Sequence, residues 1–458
     1  MSVFEWRSTL PVPAEDVYAW HARSGAFERL IPPWQHLTVI ERSGGIEDGA
    51  VLVFEYRGGP LRGRWVAVHQ ENIAGRRFVD RQVHGPFHYW QHTHSFVPQG
   101  PQASILEDSI EYGLPMGGLT DVLGGAASRR ALQRLFRFRH RRTTTDLLRH
   151  AATSGTPRMK VAVTGASGLV GRNLCSFLST GGHTVARVVR GARIETGDIV
   201  WDPELGRLSA ASLEGLDGFV HLAGESLVGR WSEARKRRIM ASRREGTALL
   251  ATTLAGMRRP PKVLVSASAV GFYGDRGDEP LTEESAGGEG FLAEVTREWE
   301  AALEPARQAG IRVVQLRFGV VLTSAGGALG LMLPAFRAGA GGPMGDGRQW
   351  MSWVALDDVL GAVLKALTDE RLSGPVNVVA PEPVTNREYA KTLGHVLRRP
   401  AVVPLPATAV SQVFGDMGRE FLLAGQRVHP QALEEAGFSF DYPLLEDALR
   451  FELGKMRR

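Results

Sequence analysis

Three glycines spaced for a phosphate-binding turn lie within KVAVTGASGLVGRNLCSFLSTGGHTVARVVRG, residues 160–191. Val161 to Val163 read as a buried strand. Gly165, Gly168 and Gly171 follow at the spacing G-x-x-G-x-x-G, and a helix-like run comes next. Glycine lets the turn tighten and lets backbone approach a pyrophosphate, while the helix start turns free N–H groups and a positive dipole toward it. The chemistry this predicts is dinucleotide binding. A second strand, HTVARVVR, follows at the distance such a unit requires, and its end discriminates between cofactors. An acid there would hold a ribose 2′-hydroxyl, whereas a cation suits a 2′-phosphate. The chain has Arg190 there, with Arg193 close behind and no acid before Glu195. NADP(H) is therefore expected in preference to NAD(H).

Two further strand ends carry chemistry-bearing residues. GLDGFVHLAGES, 215–226, ends in His221-Leu222-Ala223-Gly224, and KVLVSASAVGFYGDRG, 262–277, ends in serines and a tyrosine. Together with RWSEARKRRIMASRREGT, LRFGVVLTSAGGALGLMLPAFRAGAGGPMGDGRQWMSWVALDDV and GPVNVVAPEPVTNREYAKTL, these runs resemble the extended short-chain dehydrogenase/reductase superfamily. More narrowly, they resemble the atypical NAD-dependent epimerase/dehydratase-type members often labelled sugar-nucleotide epimerases. The run PLPATAVSQVFGDMGREFLLAGQRVHPQALEEAGFSFDYPLLEDAL is similar to the small domain of unknown function that ends those proteins. The resemblance spans about 159 to 454.

By position, the resemblance implies that Gly165, Ser167, Gly168, Leu169 and Val170 wrap the pyrophosphate. Leu222, Ala223 and Gly224 would flank adenosine and ribose, and Asp202 would lie near adenine. Ser266 is also carried over as a cofactor contact. The loop Arg317 to Val320, with Gly319, would approach the nicotinamide. Ala355 stands where relatives commonly have histidine, so that position carries no role.

In the superfamily a serine orients the substrate, a tyrosine passes its proton, and a lysine four residues later lowers the tyrosine's pKa. A phenol with a pKa of about 10 needs such a cation to work near neutrality. The matching helix here, in GGEGFLAEVTREWEAA (287–302), carries Phe291 and Val295 instead. They would make the pocket wall apolar, and the standard mechanism cannot operate. Ser268 aligns with the serine, and Tyr273 could supply a hydroxyl from the other side; these two are the candidate catalytic residues, with a packed loop aromatic an equal reading of Tyr273. Asp275, Asp278, Glu283 and Glu284 could serve as bases if their loop folds over the site, although a solvated loop is the plainer reading. Glu294 reads as helix surface and Glu300 as internally paired. Hydride transfer itself needs only a placed nicotinamide and an electrophilic carbon. Two readings follow: an NADP(H)-dependent, epimerase-like oxidoreductase of unknown substrate with an unconventional proton donor, or a non-catalytic NADP(H)-sensing scaffold.

The 458 residues are too many for one ordinary domain. Residues 1–151 form a first domain and ATSGTPR, 152–158, reads as a linker. The strand–helix alternation of a parallel α/β sheet then occupies 159–400, and a small helical or mixed subdomain fills 401–458. In the first domain, helical AEDVYAWHARSGAFERLI precedes the strands VLVFEYR, RWVAVHQEN, RFVDRQVHG, FHYWQHTHSFVP and ASILEDSIEYGLP. The runs WQHTHSF, DSIEYGLP and LFRFRHRR resemble the START-like polyketide cyclase/dehydrase and lipid-transport superfamily (SRPBCC). That implies an α+β helix-grip fold around a hydrophobic ligand. On a strand over 87–97, His88, Trp90, His92, His94 and Phe96 would share one face. No acid lies in that short run, so cavity lining or plain strand surface is expected and no metal site.

RRALQRLFRFRHRR, 129–142, holds much of a net charge of only +5. Its arginines alternate with Leu132, Leu135 and Phe136 at helical spacing, which reads as the wet side of an amphipathic helix rather than a nucleic-acid surface. The N-terminus has no charged start followed by an apolar core, and no run approaches the roughly 20 apolar residues of a membrane span. Cys175 is the lone cysteine, excluding an internal disulfide. A cytoplasmic protein acting on a small molecule is expected; oligomeric state is not legible.

Overall fold

Alternation of inward and outward side chains builds the first third of the chain. In the computed structural model, which describes residues 1–58, 61–115, 118–191 and 196–457, this part is built on a seven-stranded antiparallel sheet. Its strands are β1 (Ser2–Leu10), β2 (His36–Ser43), β3 (Val51–Gly58), β4 (Leu61–Ile73), β5 (Arg77–His84), β6 (Tyr89–Pro98) and β7 (Ser104–Gly113), in the order β1-β7-β6-β5-β4-β3-β2. Neither β1 nor β2 was among the runs read as strands. The helical run after β1 is two helices, α1 (Ala14–Ala22) and α2 (Ala26–Leu30), parted at Gly25, whose φ of 92° is left-handed. A long helix, α3 (Gly118–Ala151), follows the sheet.

Trp90, His92, His94 and Phe96 on β6 are buried, while His88 precedes the strand and is exposed. A cavity of about 730 Å³ lies in this unit. Its lining is largely apolar, including Phe27, Phe54, Trp65, Phe87, Trp90, Leu132 and Leu135, and is interrupted by His21, His69, Asp80, His92, His94 and Arg139. Two readings of the sequence need correction. Acids do reach the histidines, from neighbouring strands: Asp80 on β5 stands opposite His92, and Asp108 on β7 opposite His94. The arginine-rich helix is also wet only in part. Arg142 is buried, and its guanidinium lies 4.4 Å from the Phe138 ring centroid.

The later part of the chain is built on a parallel sheet. Its strands are β8 (Lys160–Thr164), β9 (Thr184–Val189), β10 (Ile199–Asp202), β11 (Arg207–Leu208), β12 (Gly218–His221), β13 (Val263–Ala269), β15 (Arg312–Phe318) and β19 (Gly374–Val378). They run in the order β11-β10-β9-β8-β12-β13-β15-β19, with only β11 antiparallel to its neighbour. Short pairings lie outside this sheet: β14 (Pro280–Leu281) with β21 (Arg427–Val428), β16 (Val320–Leu322) with β18 (Trp353–Ala355), and β17 (Trp350–Met351) with β20 (Val384–Thr385). The strand order reverses direction between β8 and β12, so a crevice opens at their carboxyl ends, the place where doubly wound sheets hold nucleotides. Central strands are apolar because helices cover both faces. Ala162, Val188, Phe219, Leu250, Leu254 and Leu264 share one core cluster.

Three helices position the site: α4 (Leu169–Thr180), α5 (Glu233–Ala255) and α6 (Phe291–Ala301). Ser232 caps α5 by accepting from the Arg235 N–H, and α6 starts after Gly290, whose φ is 101°. The chain divides into two compact units: Met1–Pro157 with Ser176–Gly182 and Phe451–Arg458, and Arg158–Cys175 with His183–Arg450. Among the described residues no helix is long and apolar enough to cross a membrane.

Candidate dinucleotide site and the network behind it

The glycine turn is dictated by close approach. Gly165 has φ of 65°, and a Cβ there would lie 2.8 Å from the Leu222 carbonyl carbon. At Gly168 a Cβ would meet the Gly165 carbonyl oxygen at 3.0 Å, and at Gly171 it would overlap that same oxygen. Any side chain at Gly171 would push α4 off the turn. The Gly168 N–H donates to Gly165 O at 2.9 Å, which closes the turn and leaves Ser167 and Gly168 exposed. Leu169 and Val170 open α4, so its first amides face the crevice end of the sheet.

Thr164, the last residue of β8, is a part of this site that sequence reading passed over. Its hydroxyl accepts from Leu222 N–H at 3.0 Å and Ala223 N–H at 3.2 Å, fixing the backbone beyond β12 against the glycine turn. The Thr164 hydroxyl also lies 2.8 Å from Nδ1 of His221, whose Nε2 lies 3.0 Å from the Thr247 hydroxyl. Burial, and then the nearby Arg243 charge, hold His221 down to about 4, so it is a neutral structural imidazole. A polar strand-end residue just before the first glycine was the signal available for Thr164. Gly224 is exposed beside this loop.

Arg190 is exposed immediately after β9. The next two described acids along the chain already accept hydrogen bonds. Arg187 grips Asp198 through two hydrogen bonds of 2.8 and 2.7 Å. Asp202 accepts from the N–H groups of Glu204 and Leu205, both at 3.1 Å, so its carboxylate shapes its own turn. Arg193 and Glu195 lie outside the described residues.

Ser266 is fully buried, with its hydroxyl 3.1 Å from the Ala267 carbonyl, so it is core rather than cofactor contact. Ser268 and Tyr273 belong to a buried network. Ser268 is opposite Arg317 in the β13–β15 ladder and donates to Glu300 Oε1 at 2.6 Å. Arg317 donates to the same carboxylate through Nε at 2.9 Å and Nη2 at 2.8 Å, a bidentate pair. Its Nη1 donates to the Tyr273 hydroxyl at 3.0 Å, which in turn donates to Asn377 Oδ1 at 2.8 Å. Phe272 lies against the guanidinium, 3.6 Å from carbon to ring centroid. Tyr273 is 0 % exposed, and burial raises its pKa against the opposing Arg317 charge. The expectation that these two hydroxyls meet a substrate is therefore corrected: both are spent inside the fold, locking an ion pair. Glu300 is internally paired, as its position on α6 implied.

The acidic loop is pinned rather than poised. Asp278 accepts from the Trp350 indole at 2.7 Å, and Asp275 from Gly425 N–H at 3.0 Å. Glu283 accepts from the N–H groups of Asn377 at 2.9 Å and Ala432 at 3.2 Å, and burial raises its pKa. Glu284 is exposed. Phe291 and Val295 pack in an apolar cluster with Trp231, Ile239, Leu292 and Met417. Lys236, paired with Asp416 at 2.5 Å, sits 5.6 Å from the Phe291 ring centroid. Gly319 leaves no room for a side chain beside the Ser352 carbonyl, which keeps the Arg317–Val320 loop tight.

Comparison with known proteins agrees with this architecture. The NAD dependent epimerase/dehydratase family model matches residues 161–379, a domain of unknown function (DUF1731) matches 405–452, and polyketide cyclase / dehydrase and lipid transport matches 10–138. An epimerase family protein of Mycobacterium bovis is 42% identical over 292 residues, 64% of this chain and 96% of the relative. The human epimerase family protein SDR39U1 is 39% identical over 298 residues, 64% of this chain and 99% of its own length. Among solved structures, the nucleoside-diphosphate sugar epimerase from Corynebacterium glutamicum superposes with a TM-score of 0.82 at 36% identity, covering 98% of this chain and 90% of that one. Human SDR39U1 (isoform 2) with NADPH superposes with a TM-score of 0.59 at 36% identity, covering 65% of this chain and 99% of that one. The glycine turn, the strand order and these likenesses agree: the chain belongs to the NAD-dependent epimerase/dehydratase family, with an added N-terminal domain of the polyketide cyclase/dehydrase and lipid transport type.

Proposed function

We propose that the protein is an NADP(H)-dependent, epimerase-like oxidoreductase acting on a small molecule. In this reading the N-terminal domain is a helix-grip container for a hydrophobic ligand. The observation that carries the cofactor assignment is the exposed Arg190 at the end of β9, with Asp198 and Asp202 both engaged by other groups. A 2′-phosphate finds a cation there. The NADPH named with the human relative points the same way. The residues fit the dinucleotide, because the Gly165–Gly171 cradle is kept open only by the absence of Cβ atoms. When bound, the dinucleotide supplies a hydride donor or acceptor at its nicotinamide. Backbone amides from Gly165 to Val170 bind the diphosphate, Thr164 orients Leu222 and Ala223 toward it, and the Phe291–Val295 face excludes water. The cavity of about 730 Å³ and its aromatic lining support the apolar-ligand assignment.

A second reading, cofactor sensing without turnover, is favoured by one observation: Ser268 and Tyr273 are both held inside the Arg317–Glu300 network, and Phe291 and Val295 replace the usual tyrosine and lysine. Incubating the protein with NADPH and a panel of aldehydes, ketones and quinones separates the two. The enzyme reading expects loss of reduced-nicotinamide absorbance with at least one substrate. Firm NADPH binding with no loss across the panel selects the sensor. The variant Arg190→Asp is expected to weaken NADPH at least about tenfold while sparing NADH; equal weakening of both removes Arg190 from the 2′-phosphate site.

A further inference from the structure

We propose that the N-terminal domain holds a divalent transition-metal ion on Asp80, His92 and His94, with the open coordination positions facing its apolar cavity. The three residues come from adjacent strands, β5 and β6, and each offers one ligand atom within 4.8 Å of the others. Asp80 Oδ2 lies 3.1 Å from His92 Nδ1 and 3.2 Å from His94 Nε2. Those separations approach the roughly 3.3 Å edge of a tetrahedron whose metal–ligand bonds are about 2.0 Å. They are longer than the contacts the same cluster makes on its far side. There, His92 Nε2 meets Asp108 Oδ1 at 2.8 Å and His140 Nε2 meets Asp108 Oδ2 at 2.6 Å. The cluster is thus tight where it is braced and slack where the three candidate ligands converge.

The bracing has the form that ligating imidazoles require. A metal-bound histidine gives its other ring N–H to a carboxylate, which fixes its tautomer and aim. Asp108 serves His92 in this way. His94 Nδ1 lies 2.7 Å from the same carboxylate. Asp108 is itself oriented by His140, whose Nδ1 lies 2.9 Å from the Ser8 hydroxyl. The Phe78 ring stacks on His94 at 4.2 Å between centroids and the Phe136 edge meets His92 at 5.3 Å, so neither imidazole can swing away. Asp80, His92 and His94 all line the cavity, whereas Asp108 and His140 do not. An ion there has the braced carboxylate behind it and the ligand space in front. Two imidazoles and one carboxylate suit zinc, iron(II) or cobalt(II) rather than magnesium or calcium.

The test uses the full chain with no histidine tag, stripped with a chelator and titrated with Co²⁺ while the visible d–d absorption is followed. One equivalent per chain is expected to bind with a dissociation constant of about 1 µM or tighter, and Zn²⁺ to displace it. His94→Ala and Asp80→Asn are expected to weaken binding at least about 100-fold, and Asp108→Asn about 10–100-fold. His69→Ala, which alters a cavity histidine outside the set, is expected to leave binding unchanged. Wild-type protein that takes up no Co²⁺ at 100 µM, taken here as roughly a hundredfold above the expected constant, overturns the proposal whatever the variants do. So does His94→Ala binding as tightly as wild type.

Discussion

Removing one partner of the Arg317–Glu300 pair is expected to cost far more than removing both. Their side chains are 4% and 12% exposed and share two hydrogen bonds of 2.9 and 2.8 Å. Arg317→Met leaves Glu300 with only the Ser268 hydroxyl as a described hydrogen-bond donor, a largely buried carboxylate without its cation. Breaking a buried pair this way costs about 3–5 kcal/mol, whereas replacing both partners by apolar side chains is often near neutral. The double variant Arg317→Met/Glu300→Leu should therefore lie above Arg317→Met, with a coupling energy of about 2 kcal/mol or more. Tyr273→Phe should cost about 1–2 kcal/mol, because Asn377 Oδ1 and Arg317 Nη1 lose their shared partner. Its affinity for NADPH should stay within about twofold, because the phenol bonds inside the fold; that limit is well under the tenfold worth 1.4 kcal/mol. Urea unfolding followed by tryptophan fluorescence measures the stabilities, and NADPH titration the affinity. Single substitutions below about 1 kcal/mol that simply add in the double variant would refute the reasoning. Tyr273→Phe that abolishes turnover at unchanged stability would refute it from the other side.

Gly171→Ala places a methyl group against the Gly165 carbonyl, so α4 must shift. The expected result is a loss of about 1–3 kcal/mol from overpacking together with weaker NADPH binding, read by thermal unfolding and titration; no change in either contradicts the cradle. His221 gives a pH signature. Its folded pKa of about 4 lies below the unfolded value of about 6.5, so the unfolded chain binds the extra proton between them. The stability it contributes is complete above about pH 6.5 and lost as pH falls toward 4, amounting to about 3 kcal/mol for a shift of this size. Comparing urea unfolding of wild type and His221→Asn at pH 7 and pH 4.5 should show the smaller loss in the variant, and equal losses would refute the assignment.

What the sequence revealed and what it concealed follow from one distinction. Gly165 and Gly171 were legible because backbone packing admits no other residue at those positions, so the constraint is written in residue identity. Phe291 and Val295 were legible for the same reason: the missing hydroxyl and ammonium are visible in the letters. The pairing of Ser268 with Arg317, of His92 with Asp80 and of His94 with Asp108 was concealed, because each depends on the register between strands. A run of alternating residues fixes its own faces but not which residue of the next strand stands opposite. The choice between the two readings of Tyr273 was concealed for the same reason. Its position past a strand end suited a catalytic hydroxyl, but Arg317 and Asn377 arrive from β15 and β19 to bury it.

Paired titrations of the wild-type protein with NADPH and NADH, followed by quenching of tryptophan fluorescence, test the cofactor assignment most directly. The account predicts one NADPH per chain, bound at least about tenfold more tightly than NADH, a difference of about 1.4 kcal/mol. NADH binding as tightly as NADPH, or no binding of either, would contradict it.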